Sequence, residues 1–338
     1  MLKSLHIKNF RGFRDLKIDS LKRVNLITGQ NNTGKTGVLE ALVLLLGDPD
    51  SNQRQLLPNL FRAAGGDYKE SFWKWLFNNK SSEKNIEILG AFDNQDNWLA
   101  ILRSDIKTPV DLNSSLPEAS ELPDSLRHSG QVGSFDFYMY CAGRGRFTSP
   151  KPAIFSTKPS DPVQDAIAYN RVILKRRKKQ VEEMLRKIEP RLLTIEALQP
   201  GQPGQESPLI YAEIEGLNEM IPVTQLGQGF NRLLDIYSEL VVADAKVLLI
   251  DEIENGLHYS VLPVVWQGIF LAAKEFDVQI FATTHSWECI EEADKAAREQ
   301  ENYELELIRL DRVKEDVKAT IMDKNILATA KELGWEMR

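Results

Sequence analysis

A segment near the start of the sequence has the composition of a loop that binds nucleotide phosphates. It runs Gly29-Gln30-Asn31-Asn32-Thr33-Gly34-Lys35-Thr36 and fits the pattern G-x-x-x-x-G-K-[ST]. Glycines allow the backbone N–H groups of such a loop to turn toward phosphate oxygens. We expect Lys35 to reach the β- and γ-phosphates of ATP and the Thr36 hydroxyl to bind Mg²⁺. The predicted nucleotide contacts are Gly29, Asn31, Asn32, Thr33, Gly34, Lys35 and Thr36.

Two apolar runs further along the chain end in polar residues that could complete this chemistry. The run Lys246–Ile250 is followed by Asp251 and Glu252, and the run Val278–Thr284 is followed by His285. Ligands bind beyond the carboxyl ends of buried parallel strands. The phosphate loop, the acid pair and the histidine are therefore predicted to meet at one edge of a sheet.

The charge of each of these polar residues suggests a role. Asp251 would hold Mg²⁺, directly or through water, opposite Thr36. Glu252 would orient or deprotonate the attacking water, and His285 would hydrogen-bond the γ-phosphate. The alternatives are a structural Asp-Glu pair after a strand and a histidine that is satisfied within the core. Their positions directly after predicted buried strands favour catalytic roles for Glu252 and His285.

The elements that must position these residues indicate an α/β fold. Val24–Thr28 is predicted to be a buried strand that leads into the phosphate loop, and Val38–Leu46 a helix that leaves it. The other predicted elements are antiparallel strands at Ile86–Ile88 and Leu99–Leu102, one or two helices from Asp165 to about Leu198, and a hairpin of Leu305–Asp311 and Val317–Met322.

Composition limits the class of protein. The chain has 338 residues, 42% of them hydrophobic, which is enough for one large domain or two smaller ones. Its net charge of -7 argues against a uniformly basic nucleic-acid-binding protein. Cys141 and Cys289 lack metal-ligand spacing and favour a reduced, cytoplasmic setting. No signal peptide is evident, and no apolar run approaches the ~18–20 residues of a membrane helix, so no membrane partner is expected.

Three segments outside these motifs could contact nucleic acid. Lys175–Lys179 is the densest basic run, and it is typical either of a solvated face or of a DNA or RNA contact. The segment Gly143–Arg146 is predicted to be a solvated turn, with a phosphate contact as the alternative. The aromatic cluster Phe72–Phe77 is predicted to belong to the core rather than to form a platform for stacked bases.

Five motifs resemble, in their order, those of an ABC-type ATPase head. They are Gly29–Thr36 (Walker A), Leu226–Gly229 (signature), Val247–Glu252 (Walker B with the catalytic glutamate), Glu254–His258 (D-loop) and Thr284–Ser286 (histidine switch). The opening Ile7–Phe13 resembles the start of RecF, SMC and OLD-family heads. Within that group the chain most resembles compact prokaryotic OLD-like AAA ATPases, many of them linked to phage defence, and Glu336–Arg338 is similar to their ends.

The resemblance implies a fold and a division of the chain. The fold would be that of a P-loop NTPase, with a mainly parallel core sheet flanked by helices, an antiparallel β lobe and a helical lobe. The single ATPase domain would span residues 1–338. We divide it into an N-terminal lobe with Walker A (1–150), a helical insertion (151–220) and a C-terminal lobe with the signature, Walker B and the histidine switch (221–338).

The resemblance also implies how the site is assembled. ABC-type heads form a homodimer with two shared ATP sites, so Gly227, Gln228 and Gly229 of one copy would contact the γ-phosphate held by the other. In related heads an arginine near the position of Arg11 approaches the nucleotide, so Arg11 is expected to contact adenine or the α-phosphate. One departure weakens the signature assignment, because Gly227 stands where a serine usually follows the leucine.

Two functions from different classes follow. The first is a Mg²⁺-dependent ATP hydrolase whose ATP-dependent dimer gates a partner effector in prokaryotic phage defence. About fifty residues follow His285, too few for the Toprim nuclease domain of OLD proteins, so a Toprim-like nuclease would be a separate chain. The alternative is a RecF-like ATPase of DNA repair or recombination, with DNA as its partner. The RecF-like opening and the large middle lobe disfavour a transporter subunit.

Overall fold

The structure is a computed structural model that describes residues 1–46, 75–80, 84–93, 97–103, 126–132, 135–142, 152–155, 162–199, 208–322 and 324–333. Its strands are β1 (Leu2–Phe10), β2 (Phe13–Ile18), β3 (Val24–Thr28), β4 (Ile86–Phe92), β5 (Asn97–Arg103), β6 (Leu126–Val132), β7 (Phe135–Ala142), β8 (Pro152–Phe155), β9 (Leu192–Leu198), β10 (Leu209–Ile214), β11 (Ile221–Pro222), β12 (Val247–Ile250), β13 (Gln279–Thr283), β14 (Leu305–Val313) and β15 (Asp316–Met322). Its α-helices are α1 (Lys35–Leu46), α2 (Pro162–Leu174), α3 (Lys178–Arg186), α4 (Gln228–Ala243), α5 (Leu262–Glu275), α6 (Trp287–Arg298) and α7 (Lys324–Leu333).

The central sheet has the strand order β15–β14–β3–β13–β12–β8. Strands β14, β3, β13, β12 and β8 are parallel, and β15 adds an antiparallel edge. Every residue of β3, β12 and β13 is buried, because both faces of the sheet are covered. This explains why these strands are continuous apolar runs in the sequence. Their parallel arrangement brings the ends of three strands to one edge.

The first face of the central sheet packs against α1 and an antiparallel sheet of order β2–β1–β4–β5–β7–β6. Ile27 and Leu249 of the central sheet share this core with Leu42 and Leu45 of α1. Only Thr36 of α1 is not buried, which accounts for a helix that, after Thr36, is apolar on all sides except at Glu40. The helix that leaves the phosphate loop is therefore fixed between two sheets.

The second face packs against α2 to α6 and the small sheet β11–β10–β9. Leu26 and Leu248 contribute to this second core, so successive residues of each strand serve opposite cores. The predicted helix to about Leu198 is wrong over Leu192–Leu198, which forms β9 and pairs with β10. Pro190 interrupts the helical segment, and Thr194 and Ile195 suit a strand.

The architecture predicted from the sequence is confirmed: a mainly parallel core sheet with flanking helices and antiparallel sheets. The C-terminal hairpin, β14 and β15, is also confirmed. The division into lobes stays a prediction, and the described part of residues 151–220 contains β8, β9 and β10 besides its helices.

The segments considered for nucleic-acid contact have different outcomes. Lys175–Arg177 form an exposed turn between α2 and α3. Leu76 and Phe77 are buried as predicted, whereas Trp75 is 54% exposed. Gly143–Arg146 and residues 72–74 lie outside the described residues. Within the part of the chain that the structure describes, no helix combines the length and the apolar character that a membrane crossing requires.

Candidate active site

The phosphate loop joins β3 to α1 in a conformation that requires two of its glycines. Gly29 and Gly34 have φ angles of 142° and 96°, which L side chains rarely adopt. A Cβ on Gly29 would collide with the carbonyl oxygen of Leu310, and one on Gly34 would lie 2.6 Å from Cζ of Phe13. The spacing of the motif thus has a steric cause in this fold as well as a chemical one.

Lys35 lies at the first position of α1, buried within the loop that precedes it. Its Nζ donates to the carbonyl oxygens of Gly29 at 2.7 Å and Gln30 at 3.1 Å. Burial lowers the pKa of Lys35, while the charges of Glu252, Glu254 and Asp251 oppose that change. Thr33 closes the loop from within, because its hydroxyl donates to the Gln30 carbonyl at 2.9 Å. Asn31 and Asn32 are exposed at the tip.

Thr36 of α1, Asp251 directly after β12 and Thr283 at the end of β13 form one hydrogen-bonded group. The Thr36 hydroxyl donates to Oδ2 of Asp251 at 3.0 Å, and the Thr283 hydroxyl donates to Oδ1 at 2.6 Å. Burial raises the pKa of Asp251, and the bonds from Thr283 and Thr36 lower it. The predicted meeting of the phosphate loop and the acid pair at one sheet edge is what the structure shows.

The chemistry of this group fits the predicted magnesium ligands. A hydroxyl oxygen and a carboxylate are hard donors of the kind that Mg²⁺ prefers, and they lie 3.0 Å apart. Among the described residues there is no group of three or more His, Cys, Asp or Glu placed to hold a metal by itself. Thr36 and Asp251 would therefore hold the ion together with phosphate oxygens and water, as in other P-loop sites.

Glu252 follows Asp251 in an unusual backbone conformation, with φ at 47°. Its N–H donates to the Thr283 hydroxyl at 2.8 Å, which ties this turn to the end of β13. The side chain is exposed beyond the strand, and its charge acts on Lys35. A strained turn that presents a carboxylate to the solvent beside the phosphate loop suits the predicted role in orienting water.

His285 lies just past the end of β13 and is paired with Glu254. The backbone N–H of His285 donates to Oε1 of Glu254 at 2.8 Å, and Nδ1 lies 3.0 Å from the same oxygen. The imidazole is 53% exposed, whereas the Glu254 side chain is 10% exposed. Glu254 therefore fixes both the backbone and the ring, and it leaves Nε2 as the ring nitrogen available to a ligand.

The signature segment forms the start of α4. Gly227 has a φ of 96°, and no side chain caps the helix. Gly227 and Gln228 are exposed, but Gly229 is buried, and a Cβ there would lie 3.3 Å from Cβ of Val261. The Gly227 carbonyl accepts from the Asn231 N–H, and Oε1 of Gln228 accepts from the His258 N–H. Within the described residues, these bonds do not involve the phosphate loop.

Arg11 has a different environment from the one predicted. Its Nε and Nη2 donate to the two carboxylate oxygens of Glu40 at 2.9 and 3.0 Å, and Nη1 donates to the Trp75 carbonyl. Glu40 is fully buried on α1. The pair anchors the β1–β2 turn to the helix that leaves the phosphate loop. A nucleotide contact by Arg11 stays a prediction, and the geometry favours the anchoring role.

Sequence reasoning missed two residues of the site. Thr283 bridges Asp251 and Glu252, and Glu254 holds His285. A signal existed for Thr283, because a hydroxyl at the last residue of a buried apolar strand needs a partner. Glu254 gave no such signal, since its partner is thirty-one positions away in the chain.

Comparison with a protein-family model gives a match over residues 24–291. The description of the model is "AAA domain, putative AbiEii toxin, Type IV TA system". The matched range spans the phosphate loop, the signature segment, Asp251, Glu252 and His285.

Two relatives illustrate how far the similarity extends. An ATP/GTP phosphatase of Helicobacter pylori is 25% identical over 344 aligned positions, which cover 89% of this chain and 90% of that protein. The DNA replication and repair protein RecF of Lactococcus lactis is 48% identical, but over only 44 residues, or 13% of this chain and 12% of RecF. The first similarity spans nearly the whole chain, and the second is local.

A solved structure supports the fold. The SMC head domain from Thermotoga maritima superposes with a TM-score of 0.52 at 14% sequence identity, covering 95% of this chain and 99% of that one. At this level of identity the similarity shows a shared fold.

Proposed function

The chain belongs to the AAA-domain family matched above and is an ATPase similar to RecF and SMC heads, and we propose that ATP closes two copies of it into a dimer that controls a separate effector. The main observation in favour of the dimer is the uncapped N-terminus of α4. Its first N–H groups lack a side-chain cap, and Gly227 and Gln228 are exposed without hydrogen bonds to the chain's own phosphate loop.

An uncapped helix N-terminus is a favourable site for an anion. The γ-phosphate of a nucleotide bound to a second copy is the anion that the resemblance to ABC-type heads implies. A twofold arrangement would bury two ATP molecules, each between the phosphate loop of one copy and the signature of the other. Loss of the γ-phosphate would then remove the charge that holds the two copies together.

The residues of one copy supply the hydrolytic groups. Lys35 would exchange its bonds to the Gly29 and Gln30 carbonyls for phosphate oxygens. Glu252 would orient the attacking water and accept its proton, and His285, as an imidazolium, would donate Nδ1–H to Glu254 and Nε2–H to the γ-phosphate. Mg²⁺ held by Thr36 and Asp251 would neutralise part of the negative charge of the phosphates.

A mixed-dimer experiment tests the shared sites. Lys35→Ala removes the phosphate-loop cation, and Gln228→Glu places a negative charge where the partner's γ-phosphate would sit. Gln228→Glu suits this test better than a change at Gly229, whose Cβ would press on Val261. A glutamate can also accept the His258 N–H bond that Gln228 accepts, and acids are tolerated at helix N-termini.

Each variant alone should be nearly inactive, and mixing should restore hydrolysis toward half of the wild-type rate per mixed dimer. One of the two sites then joins an intact phosphate loop to an intact signature. Glu252→Gln, which keeps the shape but removes the base, should accumulate an ATP-bound dimer. Full activity of Gln228→Glu by itself would contradict the shared site.

The effector and the role in phage defence are the finer part of the proposal. The family description contains the words "putative AbiEii toxin, Type IV TA system", which supports the defence role. A bacterial host that carries the gene with its native neighbours should reduce phage plaques, and the Lys35→Ala gene should not. Equal plaque numbers with both genes, across phages of several types, would contradict the defence role.

A DNA-binding function of the RecF type is the second candidate, and the exposed basic turn Lys175–Arg177 is the observation that favours it. It predicts that duplex DNA raises the ATPase rate and that glutamine at these three positions removes the increase. An ATPase rate that DNA does not change at low salt would exclude it.

A further inference from the structure

A cavity of about 270 Å³ lies beside the first half of α4, the helix that the signature segment starts. Its apolar wall includes Ile210, Val223 and Leu234. Asp165 of α2 and Asp235 of α4 also line it, together with Asn231. The cavity is thus mostly apolar with a few converging polar groups, which is the usual composition of a ligand site.

The polar groups of this cavity are mainly hydrogen-bond acceptors. Two of them are carboxyl groups, and Oδ1 of Asn231 is buried without a hydrogen-bond partner among the described residues. A buried acceptor that lacks a donor costs free energy. Burial raises the pKa of Asp235 to about 7, the charge of Asp165 adds to this effect, and Arg232 opposes it. A ligand with hydrogen-bond donors would satisfy Oδ1 of Asn231, and its positive charge would stabilise the ionised form of Asp235.

The charged groups around the cavity also act on one another. The guanidinium of Arg232 is buried on α4, and its pKa falls to about 10 because of that burial, with the charges of Asp235 and Glu254 opposing the fall. Asp165, in turn, acts on Asp235. Asp235 therefore has a like charge, Asp165, and an opposite charge, Arg232, acting on it. An ammonium group at the cavity would offset the repulsion between the two carboxylates.

We propose that this cavity is a regulatory site for a small organic cation, an ammonium group carried on an apolar aryl or alkyl body. The apolar body would cover the wall around Ile210, Val223 and Leu234, and the ammonium group would donate to Asp235 and to Oδ1 of Asn231. The volume suits a ligand with roughly ten non-hydrogen atoms, which is small for a ligand pocket.

The regulatory half of this proposal rests on the proposed function. Val223 lines the cavity four positions before Gly227, and Asp235 lies two turns into the signature helix. Asp235 also faces Arg232, whose field reaches Glu254, the residue that holds His285. A bound cation would thus alter the packing of the signature segment and the charge balance behind the histidine.

Calorimetry at pH 8 with two probes of equal shape tests the binding half. Phenethylamine carries the charge, and 2-phenylethanol is its neutral counterpart. Wild-type protein should bind the amine with a Kd of about 0.1–1 mM, and the alcohol at least about tenfold more weakly. Asp235→Asn should abolish the preference.

Glu239→Gln is the matched control for this measurement. It makes the same kind of change on the same helix, but Glu239 faces Arg171 and does not line the cavity. The preference for the amine should persist in this variant. Equal affinities of wild-type protein for the two probes, or a preference that survives in folded Asp235→Asn, would overturn the site. The comparison of the two probes on wild-type protein decides the matter even if Asp235→Asn fails to fold.

The ATPase rate tests the regulatory half. A saturating concentration of phenethylamine should change the rate at least about twofold in wild-type protein and in Glu239→Gln, and leave Asp235→Asn unaffected. An amine that binds without changing the rate would overturn regulation. A protein that binds the amine but hydrolyses no ATP would contradict the proposed function instead, so the two failures are distinguishable.

Discussion

The phosphate-loop half and the signature half of this molecule differ in how their polar groups are satisfied. In the first half, Lys35 donates to the phosphate loop itself, and Asp251 accepts from Thr36 of α1 and Thr283 of β13. In the second half, Oδ1 of Asn231 and the hydroxyl of Ser238 on α4 are buried without hydrogen bonds among the described residues. The hydrogen-bond network of the phosphate-loop half is therefore already formed without a ligand.

This difference in hydrogen bonding indicates which parts of the chain can change conformation when a ligand binds. A fully bonded group resists rearrangement, because each displaced donor or acceptor costs about 1–3 kcal/mol when it is left buried. Helix α4 has an uncapped N-terminus and buried side chains without hydrogen bonds among the described residues. Its rearrangement therefore breaks fewer hydrogen bonds and costs less free energy. We infer that the phosphate-loop half keeps its backbone when nucleotide binds and exchanges only side-chain bonds such as those of Lys35, whereas the signature half adjusts to a partner or a ligand.

The largest expected effect comes from the first half. Lys35→Ala should weaken ATP binding by about 10³-fold, since the loop loses its buried cation. Gln228→Glu, in the second half, should leave the ATP affinity of the isolated chain within about twofold. Fluorescent-nucleotide titration measures both. Similar losses in the two variants would break the comparison.

The anchoring of α1 gives the next largest effect. Arg11→Ala leaves the Glu40 carboxylate buried without its bidentate partner, so the free energy of unfolding should fall by about 3 kcal/mol. Denaturant unfolding measures this loss, and the double variant Arg11→Ala/Glu40→Leu should recover part of it. ATP affinity should stay unchanged at low and high salt. A loss of affinity in the folded single variant would restore the predicted nucleotide contact.

Thr283 tests how much of the catalytic geometry depends on the bonded group. Thr283→Val keeps the volume but removes the hydroxyl that donates to Asp251 and accepts from the Glu252 N–H. The kcat of ATP hydrolysis should fall about 10²-fold, with ATP affinity nearly unchanged. Thr283→Ser should restore most of the rate. A serine variant as slow as the valine variant would point to packing rather than to the hydroxyl.

Asp235, in the signature half, should make the stability of the folded protein depend on pH. Its folded pKa of about 7 exceeds its ordinary value of 3.8, so the native state keeps a proton that the unfolded state releases. Wild-type stability should therefore decrease, relative to Asp235→Asn, as pH rises from 5 to 7, and level off above. The relative change should be roughly 2 kcal/mol in urea unfolding. A difference between the two proteins that is constant with pH would show that Asp235 is ionised throughout.

Glu254 connects the two halves and gives the smallest effect. Glu254→Gln can still accept the His285 N–H but loses the charge beside Nδ1, so kcat should fall about tenfold with little change in KM. Adding His285→Gln to this variant should cost less than it costs in wild-type protein. Additive losses in the double variant would show that Glu254 does not act through the histidine.

The sequence alone determined the central elements and the main residues of the site. The phosphate loop, the strands that end at Thr28, Ile250 and Thr283, and the positions of Asp251 and His285 all follow from local patterns. A strand buried on both faces is mostly apolar, and a polar residue directly after it lies at the sheet edge. These constraints act within a few residues, so they are visible without the fold.

Only the tertiary structure decided which distant groups became partners. Arg11 lies near the phosphate loop in sequence, yet its guanidinium pairs with Glu40 because α1 packs against the β1–β2 turn. Leu192–Leu198 became a strand because β10 was available beside it, although a helix continued from the preceding pattern was the local prediction. Glu254 reaches His285, and Asp235 meets Asp165, across elements far apart in the chain. Such pairings depend on how helices and sheets pack, and packing is a property of the whole chain that no local pattern contains.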